Sequence, residues 1–159
     1  MGQHLLARDT VNGAEGSIVI TVDGKNSVIA GMQNIRTVAD IQSEEMRVIG
    51  TRKIQNKPNG ANLTGTGNIY YGSNIFTDMV LEYIHTGVMP EFTIQITNQD
   101  KATSLGSQVM AYYGCTLIGE IPLSILDDEE AMLNYDFEFA YTDVQRLEKF
   151  KEPARLGTD

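Results

Sequence analysis

The sequence predicts a mainly β protein, an antiparallel β-barrel or sandwich with one α-helix packed on it, in a single domain spanning 1–159. Three observations carry that expectation. Most apolar residues recur with period two, as half-buried strands require. Only one segment carries an apolar stripe of helical spacing. Asp-Gly, Asn-Gly and isolated Gly positions punctuate the alternating stretches where turns belong.

Taken in order, the chain opens with a lead over 1–15. Ser17 to Val22 is a short apolar run ending at Asp23-Gly24, and a second run starts at Val28. Asp-Gly between two such runs signals a tight hairpin, because both central residues then adopt positive φ. Val28 to Val48 reads as one or two long extended stretches. Residues 50–60 carry Arg52, Lys53 and Lys57 with Pro58-Asn59-Gly60, and read as a basic loop. The next stretch, to Tyr71, reads as a strand with Thr64, Thr66, Asn68 and Tyr70 on one face. Its glycines suit close approach of another backbone. Gly60 and Gly65 have nucleotide-loop spacing, but Thr66-Gly67 stands where Lys-Ser/Thr belongs, and Tyr70 occupies the third glycine of a dinucleotide fingerprint.

The helix is expected over 73–86. Phe76, Met79, Val80, Tyr83 and Ile84 form its buried stripe, and Asp78 and Glu82 point outward. Ser73 or Asn74 caps its start and Gly87 its end. Glu91–Asn98 alternates Phe92, Ile94 and Ile96 with Thr93, Gln95 and Thr97. A polar loop over 99–107 leads to a strand over 108–118. The acidic run Asp127, Asp128, Glu129 and Glu130 precedes Met132–Thr142, where Leu133, Tyr135, Phe137, Phe139 and Tyr141 alternate with polar and acidic residues. Residues 143–159 read as a loose tail.

Composition narrows function. The net charge of −9 is unlike a nucleic-acid-binding surface, which needs a basic footprint. Charge is bipolar along the chain: Glu120 to Asp143 holds eight carboxylates and no Lys or Arg, whereas Arg47, Arg52, Lys53 and Lys57 cluster. The single Cys115, mid-strand among apolar and small residues, reads as a structural thiol, and His4 and His85 stand far apart. The acidic run lacks the spaced oxygens and central glycine of a calcium loop. No catalytic, metal or cofactor site is expected. The start of the chain lacks signal-peptide features, and no apolar run reaches membrane-spanning length, so the reading is a soluble product made in a cytoplasm, with no stable membrane binding.

The stretch Asn59-Gly60-Ala61-Asn62-Leu63-Thr64-Gly65-Thr66-Gly67-Asn68-Ile69-Tyr70-Tyr71 resembles the G-A-N-x-T-G-T-G segment of PBSX-like phage tail tube (core tail) proteins. Ala14-Glu15-Gly16 before the first hairpin, Val48-Ile49-Gly50, the helix ending at Gly87 and Pro90-Glu91-Phe92-Thr93 are similar too, so the resemblance covers about 14–142. The chain departs in a longer N-terminal lead and an apolar Val28-Ile29 edge.

That resemblance implies subunits joined edge to edge into sixfold rings, which stack into a tube inside a contractile sheath. A baseplate stands at one end and a tail terminator at the other. The tube would conduct DNA in a phage or puncture a membrane in a phage-tail-like bacteriocin, with no enzyme activity and no cofactor. Arg47, Arg52, Lys53 and Lys57 are then candidates to meet Asp127, Asp128, Glu129 and Glu130 of the next ring. Asp40, Gln42, Glu44, Thr64, Thr66, Asn68, Thr93, Gln95 and Thr97 are candidates for the lumen wall, or else for the solvated outside of a barrel. Competing readings are a secretion-system tube, a small β-barrel holding an apolar ligand among Phe137, Phe139 and Tyr141, and a hydrolase using paired carboxylates.

Overall fold

A computed structural model of the chain describes residues 3–9, 13, 16–29, 31–129, 132–152 and 156–158. Ala14, Glu15 and Glu130, which figure in the sequence reading, lie outside the described residues. The fold is antiparallel β with one α-helix, gathered into two compact units that are each discontinuous in sequence.

The first unit comprises Met1–Ala30, Pro90–Cys115 and Thr142–Asp159. Its hairpin joins β2 (Gly16–Val22) to β3 (Lys25–Val28), with Val22 opposite Lys25. Asp23 (φ 51°) and Gly24 (φ 78°) form the two-residue turn, so the Asp-Gly signal is met by the mirror-image turn that matches strand twist. Strand β6 (Phe92–Gln99) pairs along all of β2, β7 (Ser107–Ile118) pairs with β6, and β9 (Asp143–Glu148) closes the row. The order is β3-β2-β6-β7-β9. Ile20, Ile94 and Tyr112 fall on one face in register and are buried with Phe92 and Cys115. A separate short pair joins β1 (Gln3–Leu5) to β10 (Leu156–Thr158). The segment after Asp143 is therefore not a loose tail. Its strand escaped the pattern because Val144 is its only half-buried residue, too little alternation to register as period two.

The second unit comprises Gly31–Met89 and Thr116–Tyr141. Its strands run in the order β4 (Met32–Met46), β5 (Gln55–Tyr70), β8 (Asn134–Ala140), then the last three residues of β7. Tyr135, Phe137 and Phe139 are buried along β8, as their alternation predicts. The rings of Phe137 and Phe139 lie 6.2 Å apart, and Phe139 and Tyr141 follow at the same spacing. The Tyr141 hydroxyl donates to the Val38 carbonyl at 2.9 Å, so the last ring of this ladder also finds a polar partner.

The glycines of β5 explain how such large rings fit. Gly65 lies opposite Phe139 and Gly67 opposite Phe137. A Cβ at Gly65 would meet the Phe139 ring at 2.3 Å, and one at Gly67 would meet the Phe137 ring at 2.7 Å. The aromatic rings thus occupy the space a side chain would take, the arrangement known as aromatic rescue of strand glycines. The sequence predicts an approaching backbone here; the neighbour is mainly a ring, with the Asn34 carbonyl also beside Gly67.

Helix α1 (Ile75–Thr86) starts at Asn74, whose side chain makes no capping bond, and ends at Gly87 (φ 77°), whose N–H bonds to the Tyr83 carbonyl. Phe76 and Met79 are buried, and the Phe76 ring sits 4.4 Å from that of Phe137. Val80 is half-buried. Tyr83 and Ile84, expected in the core, are 49% and 57% exposed. Periodicity identifies the apolar face of a helix but not how far the surface beneath it extends, and here the stripe outruns it.

Candidate functional site

Strands β4 and β5 are far longer than their support. Strand β8 pairs with β5 only between Thr64 and Tyr70, whereas β4 and β5 pair down to Met46 opposite Gln55. Every residue from Ala39 through Asn62 is exposed, so these residues form a two-stranded arm with no third strand among the described residues. Such a ribbon is marginal in water by itself. Ile41, Met46, Val48, Ile49 and Ile54 all stand exposed on it. The basic loop expected over 50–60 is shorter than that: the turn occupies 47–54, and 55–60 belong to β5. Pro58 is tolerated because the ladder slips at Gln42/Ser43, leaving Asn59 as an extra residue beside it.

Arg47, Arg52 and Lys53 gather in this turn, where the Lys53 N–H donates to the Thr51 hydroxyl at 3.1 Å. Lys57 lies back from the tip, directly across from Glu44. The strands also fix a direction. β5 leaves the tip at Gln55 and ends at Tyr70, which stands opposite Asn134, so the tip and the start of β8 are at opposite ends of the ladder. Asp127, Asp128 and Glu129 are exposed in the segment leading into β8, and the Asp127 carboxylate accepts the Glu129 N–H at 2.9 Å.

The polar face of this unit is assembled by register. Asp40, Gln42, Thr64, Thr66 and Asn68 share one side of β4 and β5, with the Gln42 amide donating to Asp40 at 3.1 Å. Register adds residues that single-strand patterns do not connect: Arg36 beside Thr66 beside Glu138, and Asn34 beside Asn68 beside Asp136. The Asn68 amide donates to Asn134 at 3.1 Å and Asp136 at 2.9 Å. The acidic alternation of β8 was legible; its neighbours were not, since strand order is invisible in one sequence. In the first unit Thr93, Gln95 and Thr97 share the outer face of β6, opposite the buried Ile94.

Cys115 is fully buried, its thiol donates to the Tyr112 carbonyl at 3.4 Å, and burial pushes its pKa up to about 11 against a small opposing effect of the Ile94 backbone. That thiol is protonated at neutral pH, the reverse of an activated nucleophile. His85 is exposed at the end of α1. Among the described residues no three His, Cys, Asp or Glu side chains gather as metal ligands. Phe137, Phe139 and Tyr141 fill the core against one another instead of framing a ligand.

A cleft of about 640 Å³ opens where β8 begins, lined by Glu120, Ile121, Pro122, Ile125, Tyr135 and Asp136. The buried Tyr135 hydroxyl has no hydrogen-bond partner, and burial, with Tyr71 nearby, raises its pKa.

The profile of the phage tail tube protein family matches residues 3–148. The phage-like element PBSX protein XkdM of Bacillus subtilis is 25% identical over 93% of this chain and 97% of its own length. The B. subtilis protein YqbM, of uncharacterized function, is 25% identical over 92% of this chain. Among solved structures, a chain of the anti-feeding prophage baseplate superposes with a TM-score of 0.62 at 12% identity, over 84% of this chain and 92% of that one. A chain of the sheath/tube terminator of an extracellular contractile injection system gives 0.63 at 11% identity, over 87% of this chain and 97% of that one. The family match shows that the chain belongs to the phage tail tube proteins; the structural likenesses show the shared fold.

Proposed function

We propose that this member of the phage tail tube family is the repeating subunit of a hollow tube, built of sixfold rings stacked head to tail inside a contractile tail or tail-like particle. The observation that carries the proposal is the arm of Ala39–Asn62. It is exposed on every residue, apolar at Ile41, Met46, Ile49 and Ile54, and basic at its tip. A free two-stranded ribbon with exposed apolar residues is an association liability, and a polymer contact is what covers it.

The whole chain acts as one tube domain in this reading, with the two units as parts of a single building block. Arg47, Arg52, Lys53 and Lys57 face the neighbouring ring, with the acidic residues Asp127, Asp128 and Glu129 at the end of the ladder away from the tip. Contact between opposite ends of a subunit does not close on itself and so extends without limit. One exposed ion pair contributes at most about 1 kcal/mol, but the pairs around a ring must break together for it to leave.

The polar face bearing Asp40, Gln42, Glu44, Thr64, Thr66, Asn68, Asp136 and Glu138, with Thr93, Gln95 and Thr97 of the first unit, lines the lumen. Its excess of carboxylates repels phosphates, so DNA passes without sticking if the particle is a phage. Sheath, baseplate and tail terminator are the other partners. The chain is made in the bacterial cytoplasm, works in the assembled particle, and needs neither catalysis nor a cofactor.

The test is assembly. Concentrated protein should show rings and tubes by electron microscopy. Arg52→Glu with Lys53→Glu should leave the melting temperature of the dilute subunit unchanged and remove long tubes. A parent protein that stays monomeric at every concentration and salt refutes the reading.

A further inference from the structure

We infer that the cleft beside Tyr135 is the socket that receives the hairpin tip of a second copy of this chain. The inference rests on the tube reading above and adds the receiving surface.

Direction is the first argument. The tip lies before Gln55 at one end of β5, and Tyr70 at the other end stands opposite Asn134, the neighbour of Tyr135. A shift along the strands therefore carries the tip of one copy toward the cleft of the next. Chemistry is the second. The tip presents the fully exposed Ile49 between Arg47 and Arg52, and the exposed Ile54 next to Lys53. The cleft offers Ile121, Pro122 and Ile125 for the apolar residues, and Glu120 for the basic ones. Apolar surface and charge are complementary at once, which a purely acidic loop such as Asp127–Glu129 does not provide.

The third argument is an unsatisfied group. Tyr135 is only 7% exposed and its hydroxyl has no partner. Buried polar groups are almost always paired, and an orphan points to a partner supplied from outside. That hydroxyl has almost no accessible surface, so a carbonyl of the incoming turn reaches it only as the cleft wall gives way. Beside it, β8 is paired with β7 only from Glu138 to Ala140, so among the described residues the edge of β8 from Asn134 to Phe137 has no strand on that side. Room and unpaired backbone coincide with the orphan hydroxyl.

The experiment pairs cysteines across the proposed contact, with native Cys115 buried and inert. Tubes of an Ile49→Cys, Ile125→Cys variant, verified by electron microscopy, should give a ladder of disulfide-linked multimers on mild oxidation, and neither single variant should. A ladder from Ile49→Cys with Asp128→Cys but not with Ile125→Cys assigns the socket to the acidic run and overturns the inference, as does no ladder in verified tubes. If the double variant fails to polymerise while the parent does, Tyr135→Phe decides. Removing an orphan hydroxyl should leave the dilute subunit's melting temperature unchanged or raised, yet lift the critical concentration for assembly about fivefold to tenfold. An unchanged critical concentration overturns the inference while leaving the tube reading intact. A parent that never forms tubes is instead a failure of the tube reading, and the socket falls with it.

Discussion

Replacing Gly65 by Ala tests how the motif glycines work, and the sign of the effect is not obvious. In an open strand position, Ala would be favoured by roughly 0.5–1 kcal/mol because it loses less backbone entropy than Gly. At Gly65 the new Cβ would stand 2.3, 2.6 and 2.9 Å from three atoms of the Phe139 ring. Carbon atoms in ordinary contact are about 3.5–4.0 Å apart, so the ring would have to retreat by more than 1 Å. It has nowhere to go: Phe139 is fully buried, with the Phe137 and Tyr141 rings at 6.2 Å on either side. Overpacking of this kind costs about 1–3 kcal/mol, which exceeds the entropic gain. The expected net loss is therefore roughly 1–2 kcal/mol, read as a lower urea midpoint of the dilute subunit with an unchanged slope. Gly60→Ala is the control, because nothing lies within 4 Å of its Cβ position; it should be neutral or stabilising. Combining Gly65→Ala with Phe139→Ala should cost less than the sum of the two changes, since the clash disappears with the ring. A Gly65→Ala protein as stable as the Gly60→Ala control, or strict additivity in the double variant, refutes the account.

Four further outcomes are expected. Phe76→Ala should cost about 3–5 kcal/mol and Tyr83→Ala far less in the unassembled subunit, as thermal melts would show; equal losses would contradict the helix packing. Cys115 should resist thiol reagents at pH 8 in the folded subunit and react fully once unfolded, so rapid labelling of native protein would place it at the surface. Because its folded pKa is about 11 against 9.0 unfolded, its effect on stability is constant below about pH 9. Above that pH the unfolded chain loses the proton first, so stability falls by up to about 3 kcal/mol as pH approaches 11, and Cys115→Ala should flatten that decline. Cysteine placed at Thr66 should react with bulky thiol reagents quickly in subunits and slowly in assembled tubes; equal rates would put that face outside the lumen.

Local order was legible wherever a residue's neighbours along the chain decide its conformation. Asp23-Gly24 gives its turn, Gly87 ends its helix, and the alternation of Tyr135, Phe137 and Phe139 marks a strand with one buried face. What distant segments decide was not legible. The Gly-Thr-Gly pattern marks a special strand, but only the pairing of β5 with β8 reveals that its glycines make room for rings. Arg36 and Glu138 join the polar face through register alone, and β9 is held by β7 despite a pattern too mixed to announce a strand.

The misreading at the end of α1 has a physical root that the arm shares. The sequence predicts burial of the whole α1 stripe within one subunit, and reads the arm only as extended chain. Yet Ile41, Met46 and Ile49 on the arm and Tyr83 and Ile84 on the helix remain exposed there. Hydrophobic patterning reports the faces that will leave water, and does not say whether the covering surface belongs to the same chain. In a subunit that works only as a polymer, part of the core is divided among copies. For such a chain, the residues whose pattern promises burial and whose subunit structure leaves them exposed form a map of the contacts to come. Arm and helix together carry that signature in the second unit, and the tip-to-socket geometry accounts for the arm's share of it.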